Sequence, residues 1–381
     1  MTETTGVTAV FVNAPRLGEF QFSPDHPFKP ERISRVYRMC RERGLFSGPG
    51  VRVDEVREAD PGVLERFHTP AYIAALKRAD GGDDVDLDML HHGIGSMENP
   101  VFRGILEFST LSATASRRAA RIVLEGAESA FNPCGGFHHA HPDRASGFCY
   151  VNDVAIAIGE LREAGRRVAY VDIDAHHGDA VQEAFYGDAS VLTVSMHETG
   201  KTLFPWGGFE REIGEGSGRG FNINIPLEPG TDDEIFMLLF REITLEALHL
   251  FRPDVVVGQF GTDMLATDPL THLKLTNNGY IEAVELLHRH FPRIVALGGG
   301  GYRMEDVVKG WTLVWAELAG IRLDEGYGGA LGGVLLGDSS IQGSDLRDMR
   351  LYTTGPVKEN LVAQAERLIA HFRETIKPLL S

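Results

Sequence analysis

The stretch VAYVDIDAHHGDA, running from Val168 to Ala180, opens as an apolar strand and closes in acids and histidines. On a strand alternate side chains share a face, so Asp172, Asp174 and His176 point one way, successive members about 7 Å apart. Asp174 and His176 then fall at the strand's end, where open α/β sheets place their ligands. A carboxylate and an imidazole there make a pair of metal ligands, with Asp172 set deeper behind them. Alone, such a pair reads more readily as a capped loop, so its weight depends on what the other strands do.

Short runs of branched apolar residues recur at VTAVFVN (7–13), SAFNP (129–133), RRVAYVDID (166–174), SVLTVSMH (190–197), PDVVVGQF (253–260) and PRIVALGGGG (292–301). They are mostly apolar on both faces, as a parallel sheet covered by helices requires. NDVAIAIGELREAG (152–165) and DDEIFMLLFREITLEALHLF (232–251) lie between them and read as helices, the first capped by Asn or Asp, the second with an acidic first turn. The alternation predicts βαβ units in an α/β fold. Gly- and Asp-rich stretches at 80–99, 209–220 and 324–346 read as long surface loops, and VKENLVAQAERLIAHFRETI (357–376) as an amphipathic helix packed on the rest. With no interdomain linker and no repeat, the expectation is one domain over 1–381.

The composition narrows the function. A net charge of −17 over 381 residues repels nucleic acid and acidic membranes and favours cationic partners. No apolar run approaches the length of a membrane span, and the start MTETTGVTAVFVNAP has no signal-peptide pattern. Three cysteines, Cys40, Cys134 and Cys149, form no CxxC. The expectation is a cytoplasmic protein in a reducing compartment. Nothing in the sequence sets its oligomeric state.

Five further segments, at strand ends or on the loops beyond them, carry chemistry. GTDML supplies Asp263, which completes an Asp/His/Asp set that leaves room for water and substrate, the pattern of a catalytic rather than a structural site. FNPCGGFHHAHP supplies the tandem His138 and His139, with His141 beyond. LGGGGYRM lets the backbone approach closely before Tyr302. RASGFCYVND and KTLFPWGG carry Phe148 and Phe204 on loops that can line an apolar channel. One catalytic mouth explains them all, whereas unrelated turns and caps need a separate coincidence for each.

These motifs closely resemble the zinc-dependent histone deacetylase family, nearest to its bacterial histone deacetylase-like amidohydrolases and acetoin utilization proteins. The resemblance rests on NPCGGFHHAHPDRASGFCYVNDVAIAI, VAYVDIDAHHGDAVQEAFY, GTDMLATDPLTHLKLT and LGGGGYR, and covers roughly residues 20 to 320, which implies a domain core over about 20–320 with a C-terminal extension over 324–381 packed on it. It implies the arginase/deacetylase fold, a three-layer α/β/α domain with a central, mainly parallel sheet of about eight strands. By motif match it implies zinc on Asp174, His176 and Asp263. It places His138 and His139 beside the attacking water, paired with Asp172 and Asp179, with Tyr302 on the substrate carbonyl. Phe148, Phe204 and the Gly147 backbone line the channel for the lysine methylenes, with Leu270 at the rim and Arg32 at the inner end. A structural potassium is implied at Asp172, Asp174, His176, Ser195 and Met196, and a second near Phe185, Asp188, Val191 and Phe221.

The implied activity is zinc-dependent removal of acetyl or other short acyl groups from lysine side chains of proteins or peptides. His139 serves as general base and then acid, His138 as a cation, and Tyr302 as oxyanion donor. Many eukaryotic members have Asp-Cys-Pro where this chain has Glu98-Asn99-Pro100. The longer Glu98 stands where that Asp grips a peptide backbone. An acetylpolyamine amidohydrolase acting on small acetylated amines is the alternative, and the acidic surface suits it equally. A two-manganese ureohydrolase is disfavoured, since Asp179 follows His176 by three positions and Met264 and Leu265 follow Asp263. A catalytically dead reader is disfavoured because every catalytic position is filled. Zinc and ferrous iron both suit an Asp/His/Asp set.

Overall fold

The structure, a computed structural model, describes residues 8–323 and 346–380. Its centre is one eight-stranded sheet: β1 Ala9–Asn13, β2 Val51–Glu55, β3 Ser129–Asn132, β4 Val168–Asp172, β5 Val191–Glu198, β6 Asn222–Leu227, β7 Val255–Gln259 and β8 Ile294–Leu297. The strand order is β2-β1-β3-β8-β7-β4-β5-β6, and every neighbouring pair is parallel. Parallel pairing needs crossovers, and those crossovers lay helices on both faces.

The two-residue period is visible in the core. Ala9 and Phe11 of β1 join Ala169 and Val171 of β4 in one apolar layer. Val10 and Val12 join Val168 and Tyr170 in the other. The helices Ile105–Leu124 and Asp153–Glu163 cover the second layer, while Asp233–Leu239, Asn277–His290 and Met304–Leu318 cover the first. The alternation of apolar strands and helices anticipated the parallel α/β sheet, and the motif resemblance the three-layer α/β/α arrangement. No described helix is long and apolar enough to cross a membrane.

Several boundaries differ from the sequence reading. β2 and β6 were not anticipated. β2 is an edge strand with no fully buried residue, and β6, NINIPL, carries two asparagines and a proline although all six residues are buried. The run 166–174 leaves the sheet at Asp172, so Asp174 and His176 are loop residues and no strand face aligns them. Two hydrogen bonds bend the chain off the sheet instead. Asp172 Oδ1 accepts from Asp174 N at 2.9 Å, and Asp174 Oδ1 accepts from His176 N at 3.0 Å. Each is an aspartate side chain bonding its own backbone two residues on, a turn-forming habit of that residue.

The helix read over 232–251 is interrupted by a π-helical stretch, Phe240–Leu245, between Asp233–Leu239 and Glu246–Phe251. The stretch 80–99 contains the short helix Leu87–His91. Of 324–346, all but Leu346 lies outside the described residues.

Past that stretch the chain returns as the helix Gly355–His371, with Leu361, Gln364, Ala365 and Leu368 buried. Lys358 Nζ lies 3.1 Å from Asp232 and 2.8 Å from Glu234, at the start of the helix Asp233–Leu239. The Asp232 side chain is completely buried, and it also accepts from Ile235 N and Thr353 N. Removing its cation leaves a buried charge short of a partner. Lys358→Met is therefore expected to cost about 1–3 kcal/mol and lower Tm by a few degrees. Thermal denaturation checks this, and an unchanged midpoint contradicts it.

Candidate metal centre and its channel

The four central strands β3, β8, β7 and β4 are consecutive in the sheet, and all their C-terminal ends open on one point. β4 runs into Asp174 and His176, β7 into Asp263, β3 into His138 and His139, and β8 into Gly298–Tyr302. The ligand atoms of Asp174, His176 and Asp263 all lie within 4.8 Å of one another, and all three residues are buried. His176 Nδ1 is 3.0 Å from Asp263 Oδ2 and 3.3 Å from Asp174 Oδ1.

The second oxygen of each carboxylate is held by backbone. Asp263 Oδ1 accepts from Ala175 N at 2.9 Å, and Asp174 Oδ2 from Gly300 N at 2.5 Å. A Cβ on Gly300 would stand 1.9 Å from Asp263 Oδ2, so only glycine fits there. Burial, and then the neighbouring Asp174 charge, pushes Asp263 up to about 7. Two buried carboxylates this close stay ionised together only with a cation between them, and two carboxylates with an imidazole are a fitting donor set for a divalent metal.

His138 and His139 stand beside this set, their ring centroids 4.0 Å apart. Each is tied to its own carboxylate: His138 Nδ1 lies 2.9 Å from Asp172 Oδ2, and His139 Nδ1 lies 2.8 Å from Asp179 Oδ1. Their environments push them apart. Burial opposes charge on His138, but Asp172 and Asp174 outweigh it and raise His138 to about 9. Burial, and then the His138 cation, lowers His139 to about 4 despite Asp179. The pair therefore holds one cationic and one neutral imidazole at neutral pH. Tyr302 faces His176, with ring centroids 6.3 Å apart, and burial holds its phenol well above the usual range, protonated.

A narrow cavity of about 20 Å³ touches these groups and is lined by Gly147, Phe148, His138, His139, Tyr302 and Arg32 among others. Phe148 lies edge-on to Tyr302 at 5.7 Å, and Phe204 lies edge-on to His139 at 5.1 Å. Gly147 has φ 55°, and a Cβ there would meet the His139 ring at 2.4 Å. Its N–H donates to Glu98 Oε1 at 3.0 Å, and burial raises Glu98 above the usual carboxylate range. Arg32 is buried at the inner end, donating to Gly299 O at 2.7 Å and Gly301 O at 3.1 Å. Leu270 is half-buried on a turn whose Asp268 accepts from both Leu270 N and Tyr302 N.

Asp172 and Ser195 are register partners on β4 and β5, with Met196 next in line. Phe185, Asp188, Val191 and Phe221 gather around the turn into β5, where Asp188 N donates to Phe185 O, Val191 N to Asp188 O and Thr193 N to Phe221 O.

Sequence reasoning missed several carboxylates that position this site. Asp153, read as a possible helix cap, leaves that role to Asn152. Its carboxylate instead accepts from Gly136 N at 3.0 Å and Phe137 N at 2.7 Å, just before the histidine pair. Asp268 fixes the backbone of Tyr302 at 2.8 Å. His141 lies 2.8 Å from Glu183 and 3.6 Å from Asp179, so Asp179 is shared between two imidazoles. The signal available for Asp268 was its place before Pro269 in a turn, which by itself suggests only a turn.

The model of the histone deacetylase domain matches residues 26–318. The chain is 38% identical to the acetoin utilization protein AcuC of Bacillus subtilis over 321 residues, covering 82% of each. It is 38% identical to histone deacetylase clr6 of Schizosaccharomyces pombe over 312 residues, 81% of this chain and 76% of the relative. The crystal structure of an HDAC homolog from Aquifex aeolicus superposes with a TM-score of 0.82 at 33% identity, covering 95% of this chain and all of the other. The chain belongs to the histone deacetylase family, hydrolases whose chemistry depends on zinc.

Proposed function

We propose that this site hydrolyses the side-chain amide of acetyl-lysine, or of a lysine carrying another short acyl group, in a protein or peptide. The observation that carries the reading is a tandem histidine pair, each imidazole tied to its own aspartate, beside three buried ligand residues and a cavity lined by Phe148 and Tyr302. Asp174, His176 and Asp263 would hold zinc, and Fe²⁺ suits the same donors. When bound, the ion polarises the amide carbonyl and acidifies the attacking water.

The chain's own groups supply the rest. His139 is neutral at neutral pH and takes the proton of the attacking water, with Asp179 orienting its Nδ1–H. It then gives that proton to the leaving amine. His138, cationic against Asp172, stabilises the developing charge. The Tyr302 hydroxyl donates to the oxyanion. Phe148, Phe204 and the Gly147 backbone enclose the lysine methylenes, Leu270 guards the rim, and Arg32 places positive charge at the inner end. One oxygen of Glu98 holds Gly147, which leaves the other for a backbone N–H of the substrate.

Potassium ions are proposed at Asp172, Asp174, His176, Ser195 and Met196, and near Phe185, Asp188, Val191 and Phe221. One catalytic domain that includes the C-terminal helix, working in the cytoplasm, completes the reading. A small acetylated amine is the second reading, favoured by the net charge of −17. Comparing turnover of acetylputrescine with that of an acetyl-lysine peptide separates the two.

His139→Ala is expected to lower kcat on an acetyl-lysine peptide by ~10²–10⁴, and Tyr302→Phe by ~10²–10³. Both variants should keep their zinc, as read by elemental analysis. Near-normal turnover in either variant contradicts its assigned role.

The charge states also set a pH profile for kcat/KM. Activity needs His139 deprotonated and His138 protonated. It should fall as pH drops toward about 4, where His139 gains a proton, and as pH rises through about 9, where His138 loses one. A profile that climbs steadily through pH 9 contradicts the assignment. A chelator should abolish turnover and added zinc restore it, whereas turnover that survives thorough chelation would remove the metal from the chemistry.

A further inference from the structure

Glu198 is the last residue of β5, and its side chain is completely buried. Neither Lys nor Arg pairs with it among the described residues. Its carboxylate instead spans two loops. Oε1 accepts from Thr202 Oγ1 at 2.8 Å, in the loop that carries Phe204. Oε2 accepts from His272 N at 2.7 Å, and Oε1 lies 2.8 Å from His272 Nδ1, two residues past Leu270. The backbone of Glu198 is anchored in turn, since its N–H donates to Ala175 O at 2.9 Å, between the ligand residues Asp174 and His176.

The segment after β7 is pinned at three successive points. Asp268 holds Tyr302 N, Thr271 Oγ1 donates to Asp263 O at 2.6 Å, and His272 closes on Glu198. Thr202 and His272 thus share one acceptor, and the imidazole that completes the junction is 63% exposed.

We propose that Glu198 and His272 form a clasp that sets the width of the channel mouth. They are positioning residues that hold the Phe204 loop and the Leu270 turn at the spacing that grips a slender, unbranched acyl-lysine side chain. The inference rests on the acyl-lysine reading above. The physical reason is that a buried carboxylate without its donors is costly, so both loops are drawn to it. Neither residue touches the three metal ligands with its side chain. The clasp therefore acts on substrate binding and leaves the chemical step alone.

The test uses zinc-loaded full-length protein and an acetyl-lysine peptide. His272→Ala is exposed at the surface and should fold. It is expected to raise KM about tenfold with kcat within about twofold, the signature of lost uniform binding. Thr202→Val should do the same more weakly. The double variant should be non-additive, because the two side chains meet only through Glu198. Glu198→Gln keeps an acceptor and should restore part of what Glu198→Ala loses.

Hydrogen exchange provides a readout that needs no turnover. In His272→Ala, residues 199–208 and 268–272 should lose protection together. Additive effects on KM, a fall in kcat at unchanged KM, or loosening of one loop without the other overturns the clasp. If the wild-type protein fails to cleave the peptide, the acyl-lysine reading fails, and exchange alone then decides whether the clasp exists.

Discussion

The structure is organised around two carboxylates buried at the ends of the central strands. Asp174 and Asp263 face each other across His176 at the centre of the sheet, both fully buried. Such charges are tolerable only with a cation between them and hydrogen bonds on their remaining oxygens. Both conditions shape the loops. The oxygen that Asp263 turns away from His176 ties down Ala175, and the one Asp174 turns away ties down Gly300. The groups that hold the ion therefore also stitch together the ends of β4, β7 and β8.

The same device recurs further out. Asp172 holds His138, Asp179 holds His139, Asp153 holds the backbone before that pair, and Asp268 holds the backbone of Tyr302. Much of the acidity of this chain is solvated surface, but these four acids are largely interior and each has a structural partner. Their placement explains how one fold keeps a cationic and a neutral imidazole 4.0 Å apart. Asp172, Asp174 and Asp179 outweigh the burial of His138, whereas burial and then the His138 charge outweigh Asp179 at His139.

Much of this was legible in the sequence. The apolar runs at β1, β3, β4, β5, β7 and β8 gave the parallel sheet, and the residues at their ends gave the point of convergence. β2 and β6 escaped because a polar edge strand and a strand bearing asparagine and proline lack the apolar pattern that marks a buried strand. The spacing of Asp172, Asp174 and His176 led to the right neighbourhood by a wrong route, since the chain leaves the sheet at Asp172 and side-chain-to-backbone turns do the aligning. Asp268 and the Glu198–His272 contact join segments remote in sequence, and no local pattern announces such a pairing. The motif resemblance added what periodicity could not, namely roles for particular side chains.

The most direct test of the central claim is to crystallise the zinc-loaded protein and collect anomalous diffraction at the zinc edge. The account predicts one strong peak between Asp174, His176 and Asp263, about 2 Å from Nδ1 and from one oxygen of each carboxylate. A strong peak elsewhere, or none at this position in zinc-replete crystals, would contradict it.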